Sequence, residues 1–575
     1  MEESRVIDRS NTFVDLLRQR GTNNYHKTAF IYLKDGETET DRLTYGKLDL
    51  HARAIATYLQ SICSQGDRAL LIYPSGLDFI SAFFGCLYGG IVAVPAYPPK
   101  PNRPWSRVRS IVEDAAAKIV LTTRTILEQQ GKKLRDFPDL AALTWIATDE
   151  IESNLATEWQ KPNLNSNSLA FLQYTSGSTG NPKGVMVSHG NLLHNQQMIR
   201  AAFGHTEKTV FVGWLPLFHD MGLIGNVLQP VYLGIHCILI SPLNFLYRPF
   251  AWLQAISHYR ATTSGAPNFA YDLCVKRTTP EQRASLDLSS WAVAFNGAEP
   301  VRQETLENFT KAFASCGFTQ KAFYPCYGLA EATLLVTGGD RAIYPSICKV
   351  NPTALARDRI LVEKENNQYS KSLISCGRTW LGTELLIVNP ESLKLCADGR
   401  VGEIWVRGKS VAVGYWNKPE ATQQVFQASI SEKSENRFLR TGDVGFVKDG
   451  ELFVTGRYKD VIIIKGRNYY PEDIELTVQH SHPGLRLNGG AAFTIDNNIE
   501  QRLTVVQEIE RSYIKKLNRD SLVGDIRQAV MANHELQAHE IILVKPGTVP
   551  KTSSGKICRY ACREKFIDGQ LNTLN

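Results

Sequence analysis

The sequence predicts a multidomain α/β protein, and three observations carry that prediction. Over the first two-thirds, apolar strand-like segments alternate with amphipathic helices, the rhythm of parallel sheets covered by helices. After about Leu381 the texture changes to short strands and tight turns, which suits a small barrel-like β subdomain. Beyond Gly456-Arg457-Tyr458-Lys459-Asp460 a compact, smaller α+β unit follows. A chain of 575 residues is also too long for one core.

In chain order, residues 69–73 read as a strand. Residues 79–99 carry no charge and could span a bilayer by length, but Gly89-Gly90 interrupts them and Val92-Ala93-Val94-Pro95 has strand character. The expectation is a buried helix over 78–88 turning into a buried parallel strand. Residues 119–121, 237–240 and 292–295 are further strands, the last followed by a helix over 301–314. The β subdomain contributes 385–388, 402–406 and 452–454. The final unit reads as strand 461–464, helix 471–480, strands 491–494 and 504–507, and a helix around 525–533. The expected plan is an N-terminal domain over 1–457, its β subdomain starting near 381, and a mobile C-terminal domain over 458–575.

With 43% hydrophobic and 21% charged residues, the composition is that of a folded globular protein. A net charge of +7 without a basic stripe and interleaved aromatics argues against nucleic acid. The locally basic run from Lys551 to Lys565 reads first as a solvated face and second as a surface for an acidic partner. Eleven scattered cysteines include no CxxC pair, and Cys558 and Cys562 lack a zinc-completing neighbour. Reduced thiols in a cytoplasmic enzyme explain them. Met1-Glu2-Glu3-Ser4 has neither a basic stretch nor an apolar core, so no signal peptide and no integral membrane segment are expected. Asp520-Ser521-Leu522 matches the phosphopantetheine tripeptide of carrier proteins, but no helical carrier domain surrounds it.

The run Tyr174-Thr175-Ser176-Gly177-Ser178-Thr179-Gly180-Asn181-Pro182-Lys183-Gly184 joins a strand to Val185-Met186-Val187 and a helix capped by Ser188. Its glycines, small hydroxyls and lysine are the parts of a loop that holds a phosphate chain; the bland alternative is a polar hairpin turn. The spacing is not that of a P-loop, because Lys183 follows Gly180 by three and Gly184 comes next. Trp214-Leu215-Pro216-Leu217-Phe218-His219-Asp220-Met221-Gly222 sets a His-Asp pair beside aromatics at a loop-to-helix junction. Asn296-Gly297-Ala298-Glu299-Pro300 ends a strand, where open α/β sheets bind ligands. In Phe323-Tyr324-Pro325-Cys326-Tyr327-Gly328-Leu329-Ala330-Glu331, an aromatic face suits a purine and a hard carboxylate suits Mg²⁺. Arg440-Thr441-Gly442-Asp443 places a carboxylate after a predicted tight turn, where it can accept both ribose hydroxyls. Val549-Pro550-Lys551-Thr552-Ser553-Ser554-Gly555-Lys556-Ile557 adds a lysine near the C-terminus.

These motifs, in this order, resemble the adenylate-forming (AMP-binding) superfamily of acyl-CoA synthetases, luciferases, nonribosomal adenylation domains and fatty acyl-AMP ligases. The match runs from about Phe13 to Phe566. The resemblance implies ATP and Mg²⁺ as cofactors. Thr175, Ser176, Gly177, Ser178, Thr179, Gly180 and Lys183 would grip phosphates. Asn296, Gly297, Ala298, Glu299, Tyr327 and Gly328 would bind the nucleotide, with Tyr327 stacked on adenine. It also implies Asp443 on the ribose, Arg457 on ribose or phosphate, Glu331 on Mg²⁺, Lys459 at the hinge and Lys556 as the catalytic lysine. His219, with Asp220, would line the carboxylate pocket. Neither is needed as a general base, because a carboxylic acid is already ionised at neutral pH. The sequence departs from the usual pattern at Ala330, where a threonine contacting the α-phosphate is expected.

Within the superfamily the chain resembles the fatty acyl-AMP ligases. Between Glu331 and Ser375-Cys376-Gly377-Arg378 it carries extra residues within about 346–372, with Ile360-Leu361-Val362 as an apolar anchor. In that family an insertion here packs between the two domains and disfavours thioester formation with CoA. Residues 96–109, 327–335 and 504–511 also look like that family's versions. The implied function is ATP-dependent activation of a medium- or long-chain fatty acid to an acyl-adenylate. Transfer to the phosphopantetheine thiol of an acyl carrier protein, standalone or on a polyketide or nonribosomal synthase, follows. The alternative is an acyl-CoA synthetase. A catalytically dead adenylate-binding scaffold is disfavoured because Lys556, Glu331 and Asp443 are all present.

Overall fold

Strands Arg68–Ile72, Val92–Ala96 and Ile119–Thr122 are buried almost throughout, as a sheet covered on both faces requires. The computed structural model describes residues 10–97, 105–134, 136–175, 182–363, 370–430, 433–464, 467–496, 501–515, 518–552 and 555–574. Two large sheets form its centre. One has six strands, in the order Thr144–Ala147, Ile119–Thr122, Arg68–Ile72, Val92–Ala96, Leu169–Thr175 and Lys183–Ser188. All its pairings are parallel except the last, an antiparallel hairpin that sets Thr175 opposite Lys183.

The other sheet has nine strands, in the order Arg378–Thr379, Leu335–Gly338, Phe323–Gly328, Val293–Asn296, Thr263–Gly265, Phe211–Gly213, Cys237–Ile240, Thr28–Leu33 and Glu39–Thr44. It is parallel from Phe323–Gly328 to Thr28–Leu33 and antiparallel at both edges. The uncharged stretch forms helix Asp78–Gly89, packed on helix Tyr45–Ile62 and on strands Arg68–Ile72 and Val92–Ala96, every residue from Phe79 to Gly89 buried, stopped by Gly90 at φ 70°. No helix among the described residues is long and apolar enough to cross a membrane.

Past residue 380 the chain forms a five-stranded antiparallel sheet around the long strand Lys433–Lys448, which pairs with Gly402–Arg407, Ala428–Ile430 and Glu451–Arg457. The tight turn predicted at Arg440-Thr441-Gly442-Asp443 is instead a bulge inside this strand. Arg440 faces Trp405 and Val444 faces Glu403, so three residues stand opposite Ile404. Thr441 Oγ1 donates to the Ile404 carbonyl at 2.7 Å, and Gly442 at φ 72° lets the chain bend.

The extra segment makes its own hairpin, Ile347–Val350 with Lys371–Ile374, on a short helix Pro352–Leu355. Its Val350, Leu355 and Leu373 share an apolar cluster with Phe446, Phe453 and Tyr470. Residues 364–369 of the predicted insertion lie outside the described residues. The last unit is a three-stranded sheet, Leu485–Asp496, Gln501–Ile509 and Ala538–Val544, under helices Pro471–His480 and Arg519–His534. It encloses a core of its own that includes Ile474, Val505 and Ile526. Helix Arg519–His534 starts earlier than predicted because the Asn518 side chain accepts from the amides of Asp520 and Ser521. The basic run near the C-terminus is largely used internally. Arg559 bonds both oxygens of Glu475 and pairs with Asp460 and Glu472, while Arg563 donates to the Thr494 carbonyl.

Candidate active site

Strands ending at Ala96, Thr175, Gly213, Asn296 and Gly328 bring loops from both sheets to one place. A cavity of about 1100 Å³ opens there, and residues of the C-terminal unit contribute to its lining. Of the residues singled out in the sequence, Thr175, Lys183, His219, Asp220, Gly297, Ala298, Glu299, Tyr327, Gly328, Glu331, Asp443, Arg457, Lys459 and Lys556 line it together. Asn296 does not. Its side chain is fully buried one layer behind the wall, donating to Asn268 Oδ1 at 3.1 Å. Ser176, Gly177, Ser178, Thr179 and Gly180 lie outside the described residues.

One end of the cavity is built on the bulge. Asp443 stands directly across the hairpin from Arg457, whose Nε donates to Oδ1 at 3.0 Å, while the Tyr327 hydroxyl donates to Oδ2 at 2.9 Å. The carboxylate beside it raises the Arg457 guanidinium further above its ordinary value. Ala298 holds φ 74° just past its strand, a left-handed conformation that a non-glycine residue adopts only under constraint. Gly328 admits no side chain, because a Cβ there would lie 1.9 Å from the Leu334 carbonyl oxygen.

Glu331 sits in the turn Ala330–Ala332, its Oε1 accepting from the Tyr415 hydroxyl at 2.8 Å. Burial pushes its carboxyl up, and the Tyr415 hydrogen bond opposes this. The Lys183 ammonium lies 4.8 Å from the centre of the Tyr415 ring, and burial plus the Lys459 charge lowers its pKa. Ala330 is buried where a hydroxyl was expected, so that contact is missing. Among the described residues no three acidic, histidine or cysteine side chains could hold a metal by themselves. A single carboxylate beside phosphates and water is nevertheless a set that suits Mg²⁺.

In the same cavity, the His219 ring Nδ1 contacts the Asp220 carboxylate at the start of the π-helix Met221–Leu228, and Asp220 Oδ1 accepts from the Met221 amide at 2.7 Å. Burial alone would push Asp220 up. The interaction with His219 and the hydrogen bonds from His219 and the Met221 amide outweigh it, holding the carboxyl below the usual range. Lys556 enters from the C-terminal unit on a tight loop in which the Thr552 amide donates to its carbonyl at 2.8 Å. Its ammonium faces Arg457 and the carboxylates of Asp220, Glu299 and Asp443; burial and Arg457 pull it below the ordinary lysine value, and the carboxylates oppose them.

Sequence reasoning missed Tyr415, which closes the gap between Glu331 and Lys183. Its signal lay in Gly414-Tyr415-Trp416, tied to strand Lys183–Ser188 by Met186 and Trp416 amide bonds that no local pattern discloses. It also missed Gln173, whose Nε2 donates to the Phe218 carbonyl at 3.1 Å beside the cavity.

Comparison with known proteins agrees with this geometry. The sequence model of the AMP-binding enzyme family matches residues 17–416, and that of the Disco-interacting protein 2-like AMP domain matches 459–575. The chain is 50% identical to the medium-chain-fatty-acid–acyl-carrier-protein ligase JamA of Moorena producens, over 98% of this chain and 96% of that protein. It is 35% identical to the long-chain-fatty-acid–AMP ligase FadD26 of Mycobacterium marinum, over 99% of both chains. The solved fatty acyl-adenylate ligase of Legionella pneumophila, in complex with acyl adenylate and pyrophosphate, superposes with a TM-score of 0.78 at 43% identity, covering 99% and 98% of the two chains. This chain belongs to the AMP-binding enzyme family, in its fatty acyl-AMP ligase branch.

Proposed function

We propose that this enzyme activates a medium- or long-chain fatty acid with ATP to an acyl-adenylate and passes the acyl group to the phosphopantetheine thiol of an acyl carrier protein. The observation that carries this reading is the placement of Lys556 in the same cavity as Glu331, Asp443 and the His219–Asp220 pair. In the first step the fatty carboxylate attacks the α-phosphorus in line and pyrophosphate leaves. The protein's work is positioning and charge stabilisation. Asp443 accepts the ribose hydroxyls, Tyr327 stacks on adenine, Lys183 and the hairpin Thr175–Lys183 grip the departing phosphates, and Lys556 bridges the attacking and α-phosphate oxygens. Glu331 would hold Mg²⁺, which when bound neutralises phosphate charge. In the second step the thiol attacks the acyl carbonyl and AMP leaves.

The chain divides, on this reading, at 457/458, and Lys459 is the hinge about which the C-terminal domain turns between steps. The inserted segment spans that joint. Asn468 Nδ2 donates to Asp358 at 2.9 Å, the Asn468 amide donates to the Ala356 carbonyl at 2.8 Å, and Lys371 pairs with Asp473 at 2.5 Å. Such anchors support a carrier protein over free CoA as acceptor, as does the acyl-carrier-protein ligase named among the relatives. The eleven unpaired cysteines support a cytoplasmic site of action.

The test is radiolabelled fatty acid with ATP and Mg²⁺, resolved into acyl-AMP, acyl-CoA and acyl-carrier products. Acyl-AMP with carrier but little CoA product is expected, and Lys556→Ala should lower adenylation by about 10² to 10³, the scale of one main transition-state donor. Undiminished acyl-AMP in that variant would sink the assignment.

A further inference from the structure

Beyond the His219–Asp220 pair the cavity becomes apolar, walled by Ile199, Phe203, Phe211, Met221, Gly225 and Leu335. Met221 and Gly225 present the surface of the π-helix to this space, while Gly222, Leu223, Ile224, Asn226, Val227 and Leu228 are buried. The helix has two glycines, and they differ. A Cβ on Gly222 would lie 2.0 Å from the Pro216 carbonyl oxygen, so packing demands glycine there. A Cβ on Gly225 meets nothing within 4 Å. Nor is Gly225 among the glycines with positive φ, so its backbone would accept any L-residue. Neither packing nor backbone geometry requires glycine at 225, and what it keeps open is the cavity.

We propose that Gly225 sets the length of acyl chain the enzyme accepts, an inference that rests on the fatty-acid reading above. Gly225 follows Asp220 by five residues, little more than one turn of the π-helix, which rises less per residue than an α-helix; that is about 6 Å along the axis, the reach of about five carbons of an extended chain. A longer chain must pass over Gly225, and a side chain there meets it from that carbon onward. Two other lining residues, Phe203 and Phe211, are backed by the buried His205 ring at 5.3 and 5.5 Å, so they cannot retreat to make room.

The experiment is ATP–pyrophosphate exchange by the full-length enzyme with hexanoate through tetradecanoate, for the parent, Gly225→Ala and Gly225→Leu. The dodecanoate-to-hexanoate ratio of kcat/KM should fall about 5-fold in Gly225→Ala and about 100-fold in Gly225→Leu, the scale of several methylenes excluded from an apolar pocket. An unchanged ratio in both variants overturns the proposal. Should Gly225→Leu fail to fold by thermal melting, the Gly225→Ala ratio decides. Absence of exchange with every fatty acid in the parent is a different result, and removes the fatty-acid reading itself.

Discussion

Tyr415 holds two charged groups of the site at once, its hydroxyl on Glu331 and its ring against Lys183. The two contacts separate by mutation. Tyr415→Phe keeps the ring and removes a hydrogen bond to a carboxylate, a bond of about 1.5–3 kcal/mol, so kcat for adenylation should fall at least about tenfold. Because that bond also opposes the upward push of burial on Glu331, its loss should move the acid limb of the pH–rate profile to higher pH. Tyr415→Leu should lower kcat further by exposing Lys183. Rates and pH limbs equal to the parent in both variants would show that the contact positions nothing. The site residues that the sequence does disclose sit in short, chemically distinctive strings such as Thr441-Gly442-Asp443 or Gly555-Lys556. Tyr415 was not legible, since its meaning depends on a partner 84 residues away.

Among the elements, the inserted hairpin Ile347–Val350 with Lys371–Ile374 is the one that the proposed function makes responsible for the choice of acceptor. Its clamp on the C-terminal unit consists of Asp358, Ala356 and Lys371 against Asn468 and Asp473, with Lys371 also 4.8 Å from the Tyr470 ring. Removing two such polar contacts at about 1 kcal/mol each should shift the balance towards the rotated arrangement by about thirtyfold. Asp358→Ala combined with Lys371→Ala, or deletion of 351–369, is therefore expected to raise acyl-CoA output with adenylation retained. CoA product fixed at the parent level, with intact acyl-AMP formation, would remove the clamp from the account. The apolar strands and the buried helix Asp78–Gly89 could be read from the sequence because burial on both faces leaves an uninterrupted apolar run. The strand Lys433–Lys448 could not, being polar along much of its length, bulged at Thr441–Asp443, and paired not only with its chain neighbours Ala428–Ile430 and Glu451–Arg457 but with Gly402–Arg407, remote in sequence.

At the scale of the molecule, the N-terminal helix Phe13–Asn23 is tied to the central sheets through a buried histidine. The Phe13 amide donates to His189 Nδ1 at 3.3 Å, a bond that needs this nitrogen unprotonated. His189 opens helix His189–Phe203, is 1% exposed, and burial lowers its pKa from 6.5 to about 4. The folded protein therefore keeps this ring neutral at pH values where the unfolded chain binds a proton. Stability is then full above about pH 6.5 and is lost as pH falls towards 4, by about 3 kcal/mol from this group alone. His205, lowered to about 3 by burial between Thr263 and Gln229, steepens the same fall. Urea midpoints measured from pH 7.5 to pH 4 should drop across this window. In His189→Gln, whose amide can accept the Phe13 bond but does not titrate, the drop should be shallower. An identical pH dependence in the two proteins would place the acid-labile group elsewhere, whereas a shallower one assigns part of the acid lability to His189, where the N-terminal helix meets the core.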